Sequence, residues 1–206
     1  MAQRPPTSES SALAAMVRAQ TTVDHPAPDD LAAHLAMVRD MRDREAIRDL
    51  ALLYTRAVDD YDLEALLDLF TDDGVFERRG KAAAGREGLR QAYTEAMRAN
   101  RTMVHIPDSH VVQLLPGRRA TGWAAGHAEL VIESSTVLAA FRYEDDYRCV
   151  DDRWRFERRS LTFKYAVPAD QLADGLAGSE RMRWPGGRAT AADYPESLPT
   201  WAEFHS

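Results

Sequence analysis

A chain of 206 residues, 45% hydrophobic and 29% charged, can bury one full core and has the balance of a globular protein. Its formal net charge of -7 argues against a nucleic-acid surface, because the arginines are scattered among acids as a solvated mixture. The single Cys149 excludes an internal disulfide and a multi-cysteine zinc site, and no run reaches the roughly 18 apolar residues of a membrane span.

Residues 1–28 form a leader broken by Pro5, Pro6, Pro26 and Pro28, with room for one short helix over Ser11 to Gln20. Its apolar piece, Ala12 to Val17, is too short for a signal peptide, so a soluble cytoplasmic protein is expected. Asp29 and Asp30 cap a further helix that runs through Leu31, Leu35 and Val38 toward Met41. Residues 1–42 are expected to pack outside the core or on a neighbouring subunit.

Residues 43–70, DREAIRDLALLYTRAVDDYDLEALLDLF, carry two helical patterns back to back. Ala46, Ile47, Leu50, Leu53, Tyr54, Ala57 and Val58 make one apolar stripe. Two groups on it are wrong for a plain core helix: Tyr54 brings a hydroxyl and Asp59 ends it with a carboxylate. The second helix turns Leu63, Leu66, Leu67 and Phe70 inward, with Asp62 and Glu64 at its positive end. Thr71 to Gly74 reads as a turn, Val75 to Arg78 as a short strand and Gly80 to Gly85 as a small-residue loop. Arg86 to Ala99 is a third helix.

From there the period is two. Strands are expected near Thr102 to Leu115, Ala120 to Glu133, Thr136 to Val150 and Arg153 to Tyr165, joined by links short enough for antiparallel hairpins. Asp108-Ser109 marks a bulge in the first. The last needs another near Arg158 to Ser160, because Trp154 and Phe156 share one parity while Leu161, Phe163 and Tyr165 share the other. A helix-like piece (Asp170 to Leu176) and a Pro- and Gly-rich tail with Trp184, Tyr194, Trp201 and Phe204 follow. That tail, residues 169–206, is too aromatic to be solvated and is expected on the body or a neighbouring subunit. Helices followed by long antiparallel strands make an α+β fold, a cone of curved sheet wrapped around the helices with one end open.

Of six histidines, His25, His34 and His205 sit in the leader and tail. His105, His110 and His127 sit in strands. Strict alternation points His105 and His110 to opposite faces unless the bulge intervenes. His105 is preferred as the inward one, paired with Asp59 as an acid/base dyad in which the carboxylate fixes the imidazole tautomer. His127 lies among small residues, Gly122-Trp-Ala-Ala-Gly-His-Ala, that leave room for a ligand. Tyr54 is either a core aromatic or a hydrogen-bond donor to substrate. Arg158 is either an inward cation for an oxyanion or half of a surface ion pair. Trp123, Phe70 and Tyr143 are the aromatic candidates for lining a substrate pocket. Asp59, Asp108 and the histidines lack the spacing of a metal motif, and no nucleotide fingerprint is present, so neither metal nor organic cofactor is expected.

The segments IRDLALLYTRAVDDYDLEALLDLFTDDGVFE, GREGLRQAY, TMVHIPDSHVVQLL, ATGWAAGHAELV and FRYEDDYRCVDDRWRFERRSL, in this order from Asp43 to Pro168, resemble the SnoaL-like branch of the nuclear transport factor 2-like superfamily. That branch includes scytalone dehydratase, bile-acid 7α-dehydratase, hexachlorocyclohexane dehydrochlorinase and the polyketide cyclases. The resemblance implies a catalytic domain over residues 43–168, with a site at Tyr54, Asp59, His105 and His127. Where the dehydrochlorinase has an essential arginine before the tryptophan, this chain has Val150, with Arg148 out of phase, which weakens a dehalogenase reading. The implied activity is a cofactor-independent lyase or isomerase of the dehydratase type, acting on an apolar cyclic or aromatic small molecule that carries hydroxyl or carbonyl groups. The rival is a non-catalytic small-molecule-binding or assembly module on the same fold. A homo-oligomer, trimer before dimer, is expected, with no nucleic-acid or membrane partner.

Overall fold

The computed structural model describes residues 8–23 and 26–205; Pro5, Pro6 and His25 lie outside them. Asp30 caps α2 (Leu31–Asp59), its carboxylate accepting from the Ala33 N–H at 2.9 Å. The expected leader helix and core helix are one. No Gly or Pro interrupts Met41-Arg42-Asp43-Arg44, so propagation carries through for 29 residues. The C-terminal half buries Ile47, Leu50, Tyr54, Ala57 and Val58, whereas Leu31, Leu35 and Val38 in the N-terminal half remain 70%, 57% and 50% exposed. α1 (Ser8–Thr21) is tied to this helix by Arg44, which donates to Gln20 Oε1 and to the Val112 carbonyl. Among the described residues no helix is long and apolar enough to cross a membrane.

α3 (Leu63–Asp68), β1 (Phe70–Arg78), β2 (Lys81–Ala84) and α4 (Gly85–Ala99) follow. The expected turn at Thr71 to Gly74 is drawn into β1, with a register shift between Phe70 and Val75. The expected small-residue loop is β2, pairing antiparallel with β1. Four long strands then meander: β3 (Asn100–Leu115), β4 (Arg119–Ile132), β5 (Ser135–Val150) and β6 (Arg153–Pro168). Asp151 and Asp152 both take positive φ, 50° and 58°, as a tight two-residue hairpin between β5 and β6 requires. The sheet runs β2-β1-β6-β5-β4-β3, antiparallel except where β1 lies parallel to β6. It is curved and unclosed, with α2 and α4 against its inner face.

Bulges decide which side chains reach that inner face. In β3 the pairing slips between Pro107 and Ser109, so Asp108 is the extra residue. His105 then pairs with Ala128 and His110 with Ala124, both on the inner side of β4. In β6 the extra residues are Glu157 and Lys164. The first lies one residue before the expected position, and it turns Arg159 inward and Arg158 outward.

The tail packs on the body through residues 181–193, whereas Phe204 near its end is 83% exposed. After β6 come α5 (Leu172–Gly175) and, at the end, α6 (Pro199–His205). The Arg183 N–H donates to the Ala166 carbonyl and the Ala166 N–H to the Arg181 carbonyl, so the tail extends the sheet beside β6 where β1 has ended. Arg181 pins it, donating to both Glu196 carboxylate oxygens at 2.6 Å and to the carbonyls of Lys164, Gly178 and Tyr194. Trp184 is thereby set edge-on against Phe163, with ring centroids 5.4 Å apart.

Candidate active site

Asp59 is the last residue of α2, where the helix meets the inner face of β3. One carboxylate oxygen accepts from the His105 backbone N–H at 2.8 Å, and the other faces His105 Nδ1 at 2.6 Å. A carboxylate can only accept, so Nδ1 carries the proton and Nε2 presents its lone pair. The imidazole is held at three levels: strand backbone, ring nitrogen, and the Phe141 ring at 5.8 Å between centroids. Its side chain is 11% exposed, and that surface opens into a cavity of about 910 Å³ between the sheet and α4. Gly126 permits the Phe141 contact: a Cβ there would meet the Phe141 ring at 2.9 Å. The small residues before His127 therefore make room for an aromatic ring of the protein itself.

The cavity is lined by Met103, Ala128, Leu130, Leu161, Phe163 and Trp184, with Tyr54, Tyr93 and Tyr143 on one wall. The Tyr54 and Tyr93 hydroxyls share a hydrogen bond of 3.1 Å. Either hydroxyl can be the donor in that bond. Burial, and then the neighbouring phenol, push the Tyr54 hydroxyl well above its ordinary range; burial does the same for Tyr93 and Tyr143. These phenols stay protonated and act as donors.

Behind the phenols stands a buried ionic unit absent from the sequence-based candidates. Arg159, 1% exposed, donates through Nε and Nη2 to Asp145 at 2.9 and 2.8 Å. Its guanidinium carbon lies 4.0 to 4.1 Å from the ring centroids of Tyr143, Tyr54 and Phe156. Burial opposes its charge, but Asp145 outweighs burial and the guanidinium is held above its ordinary range. Tyr147 donates to Asp145 Oδ2 at 2.9 Å, so its oxygen accepts from His110 Nε2, also at 2.9 Å. Burial holds the His110 pKa below the usual histidine value. His110 and Arg159 face a second compartment of about 290 Å³, bounded by Ala51, Thr55, Pro107 and Ala124 and divided from the first by Phe141 and Tyr143.

The structure brings together Asp59, His105, Tyr54 and Tyr143. The other expected residues stand elsewhere. His127 is on the outer face, because inward positions of β4 are the even-numbered ones; it pairs with Asp108 at 2.6 Å and faces Tyr165. Trp123 shares that outer parity and packs against Arg142. Arg158, put outside by the bulge at Glu157, pairs with Glu77. Phe70 is 3% exposed and lies in the aromatic core behind the cavity, against Tyr54, Tyr93 and Phe156. The bulge expected at Asp108-Ser109 does intervene, so His105 and His110 both point inward. Asp59 and Asp108 are taken up by different histidines on opposite faces of the sheet.

The sequence pattern of the SnoaL-like domain matches residues 39–160. Among solved structures, a protein from Novosphingobium aromaticivorans provisionally named as an aromatic ring hydroxylase is 27% identical, with a TM-score of 0.59 over 65% of this chain and 97% of its own. A second protein from that organism, provisionally named as a scytalone dehydratase, is 19% identical, with a TM-score of 0.59 over 73% of this chain and 97% of its own. The LinA-type3 hexachlorocyclohexane dehydrochlorinase of Novosphingobium barchaimii LL02 is 20% identical, with a TM-score of 0.59 over 64% of this chain and 92% of its own. The last two likenesses establish the shared fold. Comparison with curated proteins yields no match.

Proposed function

The chain belongs to the SnoaL-like domain family, and from that premise we propose that it is a cofactor-independent lyase of the dehydratase type. The observation that carries this reading is the two-point hold of Asp59 on His105, through Nδ1 and the strand N–H, beside an apolar cavity. The names of two similar structures, a dehydratase and a dehydrochlorinase, both describe eliminations.

The reaction follows from the tautomer. His105 Nε2 takes a proton from a carbon next to a carbonyl, and the C–H electron pair becomes the new double bond. The hydroxyl on the adjacent carbon leaves and receives that proton back from the imidazolium, so water departs and the enzyme ends as it began. Asp59 stabilises the imidazolium in between. A hydroxyl of the Tyr54/Tyr93 pair keeps its proton and donates a hydrogen bond to the carbonyl oxygen, where negative charge collects. With His127 on the outer face, polarisation of the substrate rests with these phenols. The cavity lining suits a cyclic or aromatic substrate with hydroxyl and carbonyl groups.

The test is turnover of a panel of hydroxylated cyclic ketones. His105→Gln should lose roughly 10²- to 10⁴-fold in kcat, the weight of a general base, with circular dichroism showing an intact fold. His127→Gln should stay within about twofold, because a folded variant changed on the outer face leaves the site untouched. Near-normal turnover by folded His105→Gln moves the reading to a non-catalytic binding module.

A further inference from the structure

Arg78 ends β1 and lines the same cavity as His105. Its guanidinium carbon lies 5.4 Å from the Phe163 ring centroid and 5.2 Å from that of Trp184, the residue the tail supplies. Burial pulls its pKa below the ordinary arginine range. Yet among the described residues no carboxylate forms an ion pair with it and no acceptor bonds it. The nearby Asp193 is engaged elsewhere, accepting from the Phe163 N–H at 2.7 Å. Three other buried or half-buried arginines are matched by carboxylates, Arg159 with Asp145, Arg181 with Glu196 and Arg148 with Glu157, whereas the half-buried Arg142 lies outside the cavity against Trp123 and Tyr194. A desolvated cation without a counter-ion is costly unless a ligand supplies one.

The surroundings point the same way. Arg79 and Lys81 also line this cavity, against the single carboxylate of Glu95. A chain of net charge -7 thus gathers three cations at one opening. Two aromatic rings lie beside the guanidinium at the cavity wall, and a guanidinium offers a planar, forked set of donors whose shape matches a carboxylate. Along the sheet, Arg78 on β1 and His105 on β3 are separated by β6, β5 and β4. Four strand steps of about 4.8 Å make roughly 19 Å of arc, and the curvature brings the two ends face to face across a shorter chord.

We propose that Arg78 is the anchor of a carboxylate-binding subsite, and that the substrate is a hydrophobic ring-bearing carboxylic acid whose acid group lies remote from the carbon that His105 deprotonates. This rests on the reading of the cavity as the substrate site. Arg78 is a binding and positioning residue; it takes no part in proton transfer.

The experiment is calorimetric binding of two neutral-skeleton probes, 2-naphthoate and 2-naphthamide, which differ in charge and little in shape. Wild type should bind the carboxylate about tenfold or more tighter than the amide, the weight of a charge-assisted hydrogen bond. Arg78→Gln should remove that preference by weakening naphthoate alone. Arg78→Lys should retain part of it, with a steeper loss in salt. His127→Gln, changed on the outer face of the sheet, should leave both affinities unchanged within about twofold. Equal affinity of both probes for wild type, no binding of either, or equal weakening of both by Arg78→Gln overturns the proposal. None of those outcomes bears on elimination by His105, which the turnover of His105→Gln decides separately.

Discussion

Replacing Asp145 by Asn tests how the cavity floor is held. Asp145 accepts three hydrogen bonds, from Arg159 Nε, Arg159 Nη2 and the Tyr147 hydroxyl, at 2.8 to 2.9 Å. Both members of the ion pair are at most 1% exposed in their side chains. The amide keeps the volume but removes the counter-charge, and its NH2 has to face either a guanidinium or a phenol that already donates. Arg159 is left as a cation without its counter-charge among three aromatic rings. Breaking one side of a buried pair costs about 3–5 kcal/mol. For a chain of this size 1 kcal/mol is worth about 2–4 °C, so the melting temperature should fall by roughly 6–20 °C in a calorimetric scan. Removing both charges, with Asp145→Leu and Arg159→Met together, should recover most of the loss, because the desolvation cost of the pair disappears with it. A fall of less than about 2 °C in the single variant would refute the idea that this ion pair is isolated from solvent.

The other predictions concern protons and assembly. His110 has its folded pKa lowered by burial, so the unfolded chain binds the extra proton first. Stability should therefore decline as pH falls through the unfolded value near 6.5 and toward the lower folded value. Melting curves from about pH 7.5 to 5 should show a shallower decline for His110→Gln, and identical slopes would remove His110 as the cause. Asp59→Asn combined with His105→Gln should lose little more activity than His105→Gln alone, since the two side chains act as one unit; additive losses in single-turnover rates would mean separate roles. The stripe of Leu31, Leu35 and Val38, half or more exposed on α2, supports a homo-oligomer, trimer before dimer. Light scattering at micromolar concentration should find it, and a monomer would dismiss the assembly.

Much of this architecture was legible because its signals are local. The stripe through Ile47, Leu50 and Tyr54 has helical period, and Asp59 stands at its end as the odd polar group. The hairpins announce themselves by short polar links such as Asp151-Asp152. Parity was legible only in part. Each bulge adds one residue and inverts every later side chain in its strand, and the residue that bulges is chosen by packing across the sheet. Moving the β6 bulge by one position exchanged Arg158 for Arg159. The Asp108 bulge, which the sequence does mark, brings His110 in beside His105. His127 was misplaced for a related reason: its glycine and alanine neighbours suggested an open site, whereas Gly126 makes way for Phe141. β2 was missed because Lys-Ala-Ala-Ala has no strand preference of its own and is a strand only through β1. The joining of α2 across residue 42 was hidden by a change in what the helix faces, from solvent to core, with no break in its backbone.

The proposed proton-transfer pair and one part of the wall of its cavity come from separate stretches of chain. Asp59 and His105 lie inside the family-matched segment, residues 39–160, while Phe163 and Trp184 lie beyond it, the latter on a strap fastened by Arg181. Reactivity and selectivity are therefore separately inheritable. A lineage can lengthen, shorten or exchange the strap and admit a different molecule without disturbing the imidazole or its carboxylate. It follows that a change after residue 168 can alter what the Trp184 side of the cavity accepts while leaving Asp59 and His105 in place.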